Sequence, residues 1–349
     1  MMQQRMGDGL LERLERGPVI CAEGYLFELE RRGYLQAGAF VPEVVLDHPE
    51  VVAQLHRDFV HAGSDVVEAF TYYAHRGKMR IIGKEHLLED LNRQALALAK
   101  EVAGDTGALF AGDICNTNVF EDDTDSRKTV RAMFEEQVAW ASDAGVDFVI
   151  AETYSHVGEA LIALDVIKQA GFAAVVTLSP HRASRTRDDV AFGEACKRLE
   201  EAGADVVGLN CCRGPRTMLP LLREVREAVS GHVAGLPVPY RTHDDEPTFQ
   251  SLREPDGAEV PGGMPFPTAL DPFMCSRHEI AEFATEVFGL GIRYVGLCCG
   301  AGPHHVRSLA EALGRTPPAS RYSPDMSKHA YFGTDESLKA DNMEFAADL

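Results

Sequence analysis

The sequence contains no apolar run of about 18 residues, the length that a membrane-spanning helix needs. Its first segment, MMQQRMGDGLLERLERG, has the pattern of an amphipathic helix and lacks the uninterrupted apolar core of a secretory signal. Both absences argue against membrane insertion and export, so we expect a cytoplasmic protein. Its eight cysteines are then expected to be free thiols, because the cytosol keeps thiols reduced.

Positive charge is also scarce. Lysine and arginine number 34 against 54 aspartates and glutamates, which gives a net charge of -20 over 349 residues. This excess argues against nucleic acid or an anionic membrane surface as a partner. The hydrophobic fraction of 45% and the charged fraction of 25% are ordinary for a globular protein that buries a sizeable core.

Eight short apolar runs rich in β-branched residues alternate with longer segments of helical period. The runs cover residues 19–24, 65–73, 109–115, 147–154, 173–179, 205–211, 232–240 and 293–299. Continuous apolar runs are typical of parallel strands buried on both faces. Eight of them separated by helices predict an α/β fold, the (β/α)8 TIM barrel. A doubly wound sheet is the alternative, less favoured because no G-x-G-x-x-G turn follows the first run.

The barrel is expected to span residues 1–315. Residues 316–349 are polar and weakly periodic, which predicts a C-terminal extension outside the barrel that contributes contacts between subunits. The connection between the last two runs, residues 241–275, is long and irregular, as functional loops often are.

Three cysteines fall where two of the predicted strands end. Cys211 closes the sixth run, and Cys298 and Cys299 close the eighth. Functional groups of TIM barrels gather at the carboxyl ends of the strands, so these thiols can converge there. Three thiolates and one open position suit a catalytic zinc ion.

The residues alone leave other interpretations open. Cysteines at strand ends are often small core residues. The glycine-containing turn at residues 300–302 before a helix is also typical of a phosphate site, as in a zinc-free barrel lyase or isomerase. A non-catalytic zinc protein or thiol sensor is a third possibility.

Longer stretches resemble a known family. VGLNC (207–211) and YVGLCCG (294–300), together with FELERRGYLQAG, AFTYYA, FVIAE and GPHHVRSLAEAL, resemble in order and spacing the homocysteine S-methyltransferase family, closest to its betaine–homocysteine branch. The resemblance covers nearly the whole chain. It implies a TIM-barrel enzyme that moves a methyl group from an onium donor to the thiol of homocysteine, giving methionine. Glycine betaine is the leading donor, and S-methylmethionine or a dimethylsulfonio compound is the alternative.

The same resemblance implies a set of site residues. One zinc ion per chain would be held by Cys211, Cys298 and Cys299, with the sulfur of homocysteine at the open position. Glu152, in FVIAETY, matches a family glutamate that holds the homocysteine amino group. Asp271, in TALDP, matches a family glutamate near the substrates.

The donor is expected to be held by aromatic faces, because a quaternary ammonium or sulfonium is attracted to π-systems. The residues that match the family at this site are Phe40, Phe70, Tyr72 and Tyr73. The family has a tryptophan at the position of Phe40, which is a stronger cation–π partner.

Two further departures fall in the substrate pocket. The usual Asp-Gly-Gly at the end of the first strand reads Ala22-Glu23-Gly24, so either Glu23 supplies the carboxylate from the next position or that contact is lost. Thr153 stands where the family has a tyrosine. A gap before YSPDMSK (322–328) corresponds to part of the family's oligomerisation arm, which implies a homo-oligomer of smaller or different arrangement.

Overall fold

The computed structural model describes residues 8–38, 42–253, 264–335 and 340–349. Phe40, one of the expected donor-binding aromatics, lies outside the described residues.

Eight parallel strands close into a barrel in chain order, which confirms the predicted TIM barrel. The strands are β1 (Val19–Ala22), β2 (Val66–Glu68), β3 (Leu109–Cys115), β4 (Phe148–Tyr154), β5 (Ala173–Leu178), β6 (Val206–Asn210), β7 (His232–Leu236) and β8 (Tyr294–Leu297). The pairing of β1 with both β2 and β8 closes the ring.

Helices surround the strands. They are α1 (Leu10–Arg16), α2 (Tyr25–Arg31), α3 (Val44–Asp47), α4 (Pro49–Ala62), α5 (Arg76–Ile81), α6 (Leu88–Thr106), α7 (Thr124–Ala144), α8 (Val157–Gln169), α9 (Phe192–Glu201), α10 (Pro215–Ala228), α11 (Arg277–Gly289), α12 (Pro303–Ala312) and α13 (Ala340–Ala346). In the described part of the chain, none of them is long and apolar enough to cross a membrane.

Local capping chemistry marks where the helices begin. The carboxylate of Asp123 accepts hydrogen bonds from the first backbone amides of α7. Ser276 and Glu279 form a reciprocal capping box at the start of α11. Both motifs satisfy amides that have no partner within their own helix.

The core has two layers, as the continuous apolar runs require. Alternate strand residues such as Val66, Phe148 and Val175 fill the interior of the barrel. The intervening ones, such as Val67 and Val149, pack outward against the helices. Because both faces of each strand are buried, the runs show no polar alternation.

Several strands end earlier than the apolar runs predicted, β2 and β7 by the most. β2 stops at Glu68, β7 at Leu236 and β8 at Leu297, whereas the runs continue to residues 73, 240 and 299. The extra residues leave the sheet and stay largely buried in the loops at the mouth of the barrel. An apolar run reports burial rather than strand pairing, so it extends past the true strand end.

The chain after α12 first stays against the barrel. Arg315 donates to Asp65 at 2.6 Å, and Asp65 accepts the backbone amide of Ile20 at 2.9 Å. A 3-10 turn at Pro318–Tyr322 then follows, with Ser320 donating to Glu311 at 2.8 Å. The division between barrel and extension at residue 315 stays a prediction.

Candidate active site

The three thiols proposed as metal ligands lie together at the carboxyl end of the barrel. The Sγ atoms of Cys211, Cys298 and Cys299 all lie within 4.8 Å of one another, and those of Cys298 and Cys299 are 3.9 Å apart. Sulfurs on a tetrahedral zinc ion with Zn–S bonds of about 2.3 Å are roughly 3.8 Å apart. The donor set therefore fits a zinc ion without large rearrangement.

The turn after β8 explains how two consecutive cysteines reach one point. The strand has ended at Leu297, so the alternation of a continuing strand no longer separates their side chains. Gly300 then takes φ of 92°, and a Cβ there would lie 2.2 Å from the Tyr240 hydroxyl. Arg31 holds the turn, donating to the Gly300 carbonyl and to the Tyr240 hydroxyl, each at 3.0 Å.

The same turn uses its amides internally. The Ala301 amide donates to the Cys298 carbonyl at 3.1 Å, and the Gly302 amide donates to Nδ1 of His305 at 3.2 Å. His305 is 1% exposed. Two of the amides that a phosphate would need are thus already satisfied, which disfavours the phosphate-binding alternative.

The thiols differ in acidity. Hydrogen bonds from Cys211 and Cys298 lower the pKa of Cys299 to about 6. Burial, followed by the neighbouring thiols, raises the pKa of Cys298 well above its ordinary value. One thiolate of the trio is therefore favoured even before a cation arrives.

Cys212 lies next to Cys211, with which its side chain interacts, and it also contacts the segment that follows β5. Its Sγ accepts a hydrogen bond from Ser179 Oγ at 3.1 Å and lies 3.8 Å from Nδ1 of His181. Both Cys211 and Cys212 have positive φ, 61° and 55°, so the chain turns sharply where β6 ends.

Two predicted carboxylates meet beside the thiols through an asparagine that sequence reasoning missed. Nδ2 of Asn210 donates to Glu152 at 2.5 Å and to Glu23 at 3.1 Å. Oδ1 of Asn210 accepts the backbone amide of Thr153 at 3.0 Å. The sequence did contain a signal for this residue: Asn210 is a polar residue at the end of an apolar strand, directly before Cys211 in VGLNC.

Glu68 at the end of β2 and Asp113 within β3 were also missed. Their carboxylate oxygens lie within 4.8 Å of each other and of Glu152. Thr71 donates to Asp113 Oδ2 at 3.4 Å. An acidic residue inside an apolar strand is costly to bury, and that mismatch was the sequence signal.

Burial is the main influence on the acidity of this carboxylate group. It raises the pKa of Glu23, Glu68, Asp113 and Glu152, and for Glu23 and Glu68 the negative charge of Glu152 is the next largest cause. Buried like charges this close cannot all ionise without a compensating cation. The group therefore binds either protons or a positive ligand.

A cavity of about 320 Å³ opens above the thiols. Its lining includes Cys211, Cys299, Tyr72 and Tyr73. Both tyrosines can line it because β2 ends at Glu68 and the alternation of a strand no longer applies.

Aromatic residues outside the predicted set complete this lining. Phe27, Phe249 and Phe266 contribute rings, with the centroids of Phe249 and Phe266 5.1 Å apart. The two phenylalanines belong to the long connection after β7, where the sequence showed no periodic pattern to assign them.

Lys78 changes the environment of the tyrosines. Its Nζ lies 4.1 Å from the ring centroid of Tyr72 and 5.3 Å from that of Tyr73. The side chain is 2% exposed, and Nζ donates to the Tyr72 carbonyl at 3.2 Å. The ammonium group of Lys78 therefore already makes a cation–π contact with Tyr72, a ring that was expected to bind the donor.

The remaining predicted residues have other surroundings. A Cβ at Gly24 would lie 2.2 Å from the Ala301 carbonyl oxygen, so glycine permits close backbone packing beside the turn after β8. Phe70 packs on Tyr25 with centroids 5.8 Å apart and lines a second, smaller cavity of about 40 Å³, beside Glu68 and Cys298. Asp271 begins a 3-10 turn and is absent from the described lining of both cavities.

Polar groups occupy another part of the large cavity. Ser155, His181 and Gln250 line it, and Ser155 Oγ lies 2.8 Å from His181 Nε2. Arg213 donates to the carbonyls of His181 and Arg182, which holds this segment in place.

Comparison with known proteins assigns the chain. The family model described as homocysteine S-methyltransferase matches residues 20–313, most of the barrel. The chain belongs to the homocysteine S-methyltransferase family. Membership confirms the predicted enzyme class, an S-methyltransferase.

Relatives within the homocysteine S-methyltransferase family have different donors in their names. The chain is 37% identical over 339 residues to the S-methylmethionine–homocysteine S-methyltransferase of Pongo abelii, covering 93% of this chain and 86% of that protein. It is 36% identical over 339 residues to betaine–homocysteine S-methyltransferase 1 of Xenopus tropicalis, covering 93% and 80%.

A solved structure shares the fold. The metallated form of the homocysteine methyltransferase MmuM from Escherichia coli superposes with a TM-score of 0.67 at 16% identity, covering 86% of this chain and 99% of that one. At this identity the likeness supports the barrel alone.

Proposed function

We propose that the protein transfers a methyl group from an onium donor to the thiol of homocysteine, giving methionine, with Cys211, Cys298 and Cys299 as ligands of one zinc ion. The observation that supports this most directly is the convergence of three thiols, two buried and one half-buried, within 4.8 Å at the carboxyl end of the barrel. Zinc would supply a Lewis acid that lowers the pKa of a thiol in its fourth position.

The reaction balances without a covalent enzyme intermediate, once the thiol proton of homocysteine has been released to solvent. The homocysteine sulfur forms a bond to the methyl carbon as the bond from that carbon to the positive nitrogen or sulfur breaks. The electron pair of the broken bond leaves with the donor, which becomes a neutral amine or sulfide. The protein's part is to place the two substrates in line and to exclude water.

The acceptor is oriented by carboxylates. Glu152 lies beside the thiols, and Asn210 fixes its position by a 2.5 Å hydrogen bond. An ammonium group on homocysteine would satisfy this buried carboxylate while the sulfur reaches the thiol trio. This arrangement supports the role that the family resemblance implied for Glu152.

The donor is held in the large cavity. The rings of Tyr73, Phe249 and Phe266 line it and supply π-systems that attract a positive methyl-bearing centre. Tyr72 contributes less to donor binding, because Lys78 already lies over its ring.

A carboxylate on the donor would find neutral hydrogen-bond partners. Ser155, His181 and Gln250 line the cavity and supply them. Arg241, in the long connection after β7, pairs with Glu279 at 2.7 Å and is therefore engaged elsewhere. Glycine betaine, which would leave as dimethylglycine, remains the leading donor, and S-methylmethionine or a dimethylsulfonio compound is the alternative.

An assay of homocysteine methylation by the zinc-loaded protein against these donors tests the proposal. Methionine should form with at least one onium donor. A Cys299→Ala variant should lose zinc and at least about a thousandfold in rate, since the activated thiol supplies much of the catalysis. The matched control is Cys196→Ala in α9, a buried cysteine outside the site, which should keep zinc and rate. Full activity in a preparation free of zinc would contradict the proposal.

A further inference from the structure

Glu68 is the most poorly satisfied acid of the barrel mouth. It is 3% exposed, and neither of its carboxylate oxygens has a hydrogen-bond partner among the described groups. An ionised carboxylate without a partner is among the costliest groups to bury. Its position is therefore explained best by a positive ligand that the folded chain does not itself supply.

The neighbours of Glu68 add negative charge. Carboxylate oxygens of Glu68, Asp113 and Glu152 all lie within 4.8 Å of one another. An oxygen of Glu68, an oxygen of Glu23 and the sulfur of Cys21 form a second group within the same distance. Burial raises the pKa of Glu68, and Glu152 raises it further.

The nearest buried lysine is directed elsewhere. Nζ of Lys78 donates to the Tyr72 carbonyl at 3.2 Å and to Cys115 Sγ at 3.1 Å. Its charge partly offsets the effect of burial, which raises the pKa of Asp113 and of Glu152, but neither carboxylate oxygen of Glu68 accepts a hydrogen bond from it.

A small cavity of about 40 Å³ connects these acids to the thiols. Its lining includes Glu68, Glu152 and Glu23 as well as Cys211, Cys298 and Cys299. In homocysteine three carbon atoms separate the nitrogen from the sulfur. When the homocysteine sulfur lies at the three cysteines, its ammonium group therefore reaches the carboxylates. The small cavity has room for one ammonium group but not for a larger substituent.

The strand register relates Glu68 to the altered first strand. Cys21 of β1 pairs with Val66 of β2, so Glu23 and Glu68 stand two residues beyond the same pairing. Ala22, which replaces the family's aspartate, offers no carboxylate. Glu68 lies on the adjacent strand at nearly the same height.

We propose that Glu68, acting with Glu152 and Glu23, binds the ammonium group of the thiol substrate and supplies the carboxylate that position 22 lacks. This assignment rests on the proposed function. It makes Glu68 a residue that selects acceptors bearing an amino group.

The test compares two acceptors on the zinc-loaded, full-length protein: homocysteine and 4-sulfanylbutanoate, which is the same thiol acid without the amine. Glu68→Gln keeps the size and removes the charge. It should lower kcat/KM for homocysteine about 10- to 100-fold, the range for a lost charged hydrogen bond, and leave 4-sulfanylbutanoate unchanged or improved. Glu68→Asp should retain part of the preference.

Two further measurements separate binding from folding. Calorimetric titration should show the same 10- to 100-fold loss of homocysteine affinity in Glu68→Gln. The substrate-free variant should melt at the wild-type temperature or above it, because a buried acid without hydrogen-bond partners among the described residues has been removed. The matched control is Glu159→Gln, a buried glutamate bonded to Thr117 outside the site, which should keep the wild-type ratio between the two acceptors.

The outcomes are distinct. Equal losses for both acceptors, or none, would overturn the role of Glu68 while methyl transfer stands. A second metal ion per chain that disappears in Glu68→Gln would overturn it in favour of a cation site. Failure of the wild-type protein to methylate either thiol would remove the proposed function, and this assignment with it.

Discussion

Single residues set the chemistry of this site through their depth and charge. Three thiols, four carboxylates and one lysine lie at one end of the barrel, and all of them except the half-buried Cys299 are buried. In such surroundings each charged group depends strongly on its immediate neighbours, because water cannot screen it. Substitutions that preserve shape and alter charge or π-character are therefore the most informative.

Tyr73 offers the first such prediction. Tyr73→Leu should raise KM for the onium donor about 2- to 30-fold, the range expected for loss of a cation–π contact, with KM for homocysteine unchanged. Tyr73→Phe keeps the ring and should stay near the wild type. Steady-state kinetics, with the concentration of each substrate varied in turn, measure the two KM values. An unchanged donor KM in Tyr73→Leu would place the donor against other rings.

At the scale of elements, the loops at the strand ends decide the site. The turn after β8 brings consecutive cysteines to one point, and the end of β2 releases both tyrosines from alternation. Neither loop belongs to the regular barrel. Each is held by specific contacts, such as the hydrogen bonds of Arg31 to the Gly300 carbonyl and the Tyr240 hydroxyl.

Gly300→Ala tests the turn. Its φ of 92° and the 2.2 Å approach to Tyr240 should make alanine cost about 2 kcal/mol or more, through strain and overlap. The displaced Cys299 should also weaken zinc binding. Urea unfolding and zinc stoichiometry measure both effects.

A matched substitution elsewhere supplies the control. Gly289 ends α11, and a Cβ there would meet no atom within 4 Å. Gly289→Ala should leave zinc content unchanged and stability equal or higher by up to about 1 kcal/mol. If Gly300→Ala behaved like Gly289→Ala, the turn would not be required for metal binding.

At the scale of the whole molecule, the C-terminal extension presents apolar surface. Phe332 is 62% exposed and Phe345 54%, and Tyr331 links their segments by packing on Phe345 with centroids 5.6 Å apart. Large aromatic side chains left in water are typical of an interface. We therefore propose that the extension contributes to a homo-oligomer.

Light scattering tests this proposal. The wild-type protein should have a mass of at least twice the chain mass of 38.1 kDa. A Phe332→Glu, Phe345→Glu double variant should form a smaller assembly. Ile81→Glu, at an equally exposed apolar position on α5, is the control and should not change the mass. A monomeric wild type would refute the proposal, as would an unchanged mass in the double variant.

Much of this molecule could be predicted from local patterns. Continuous apolar runs predicted eight buried parallel strands, and β3 was placed at its observed bounds. The positions of Cys211, Cys298 and Cys299 at strand ends marked them as candidate ligands. These properties follow from the order of residue types along the chain, because burial and periodicity are recorded there directly.

The tertiary structure decided which residues meet and how their charges balance. Closure of the barrel brings Glu68 of β2 beside Glu152 of β4, although many residues separate them in the chain. It also places Lys78 over Tyr72 and joins Glu23 to Glu152 through Asn210. Contacts of this kind depend on register, on strand ends and on loop turns, which residue order alone does not specify.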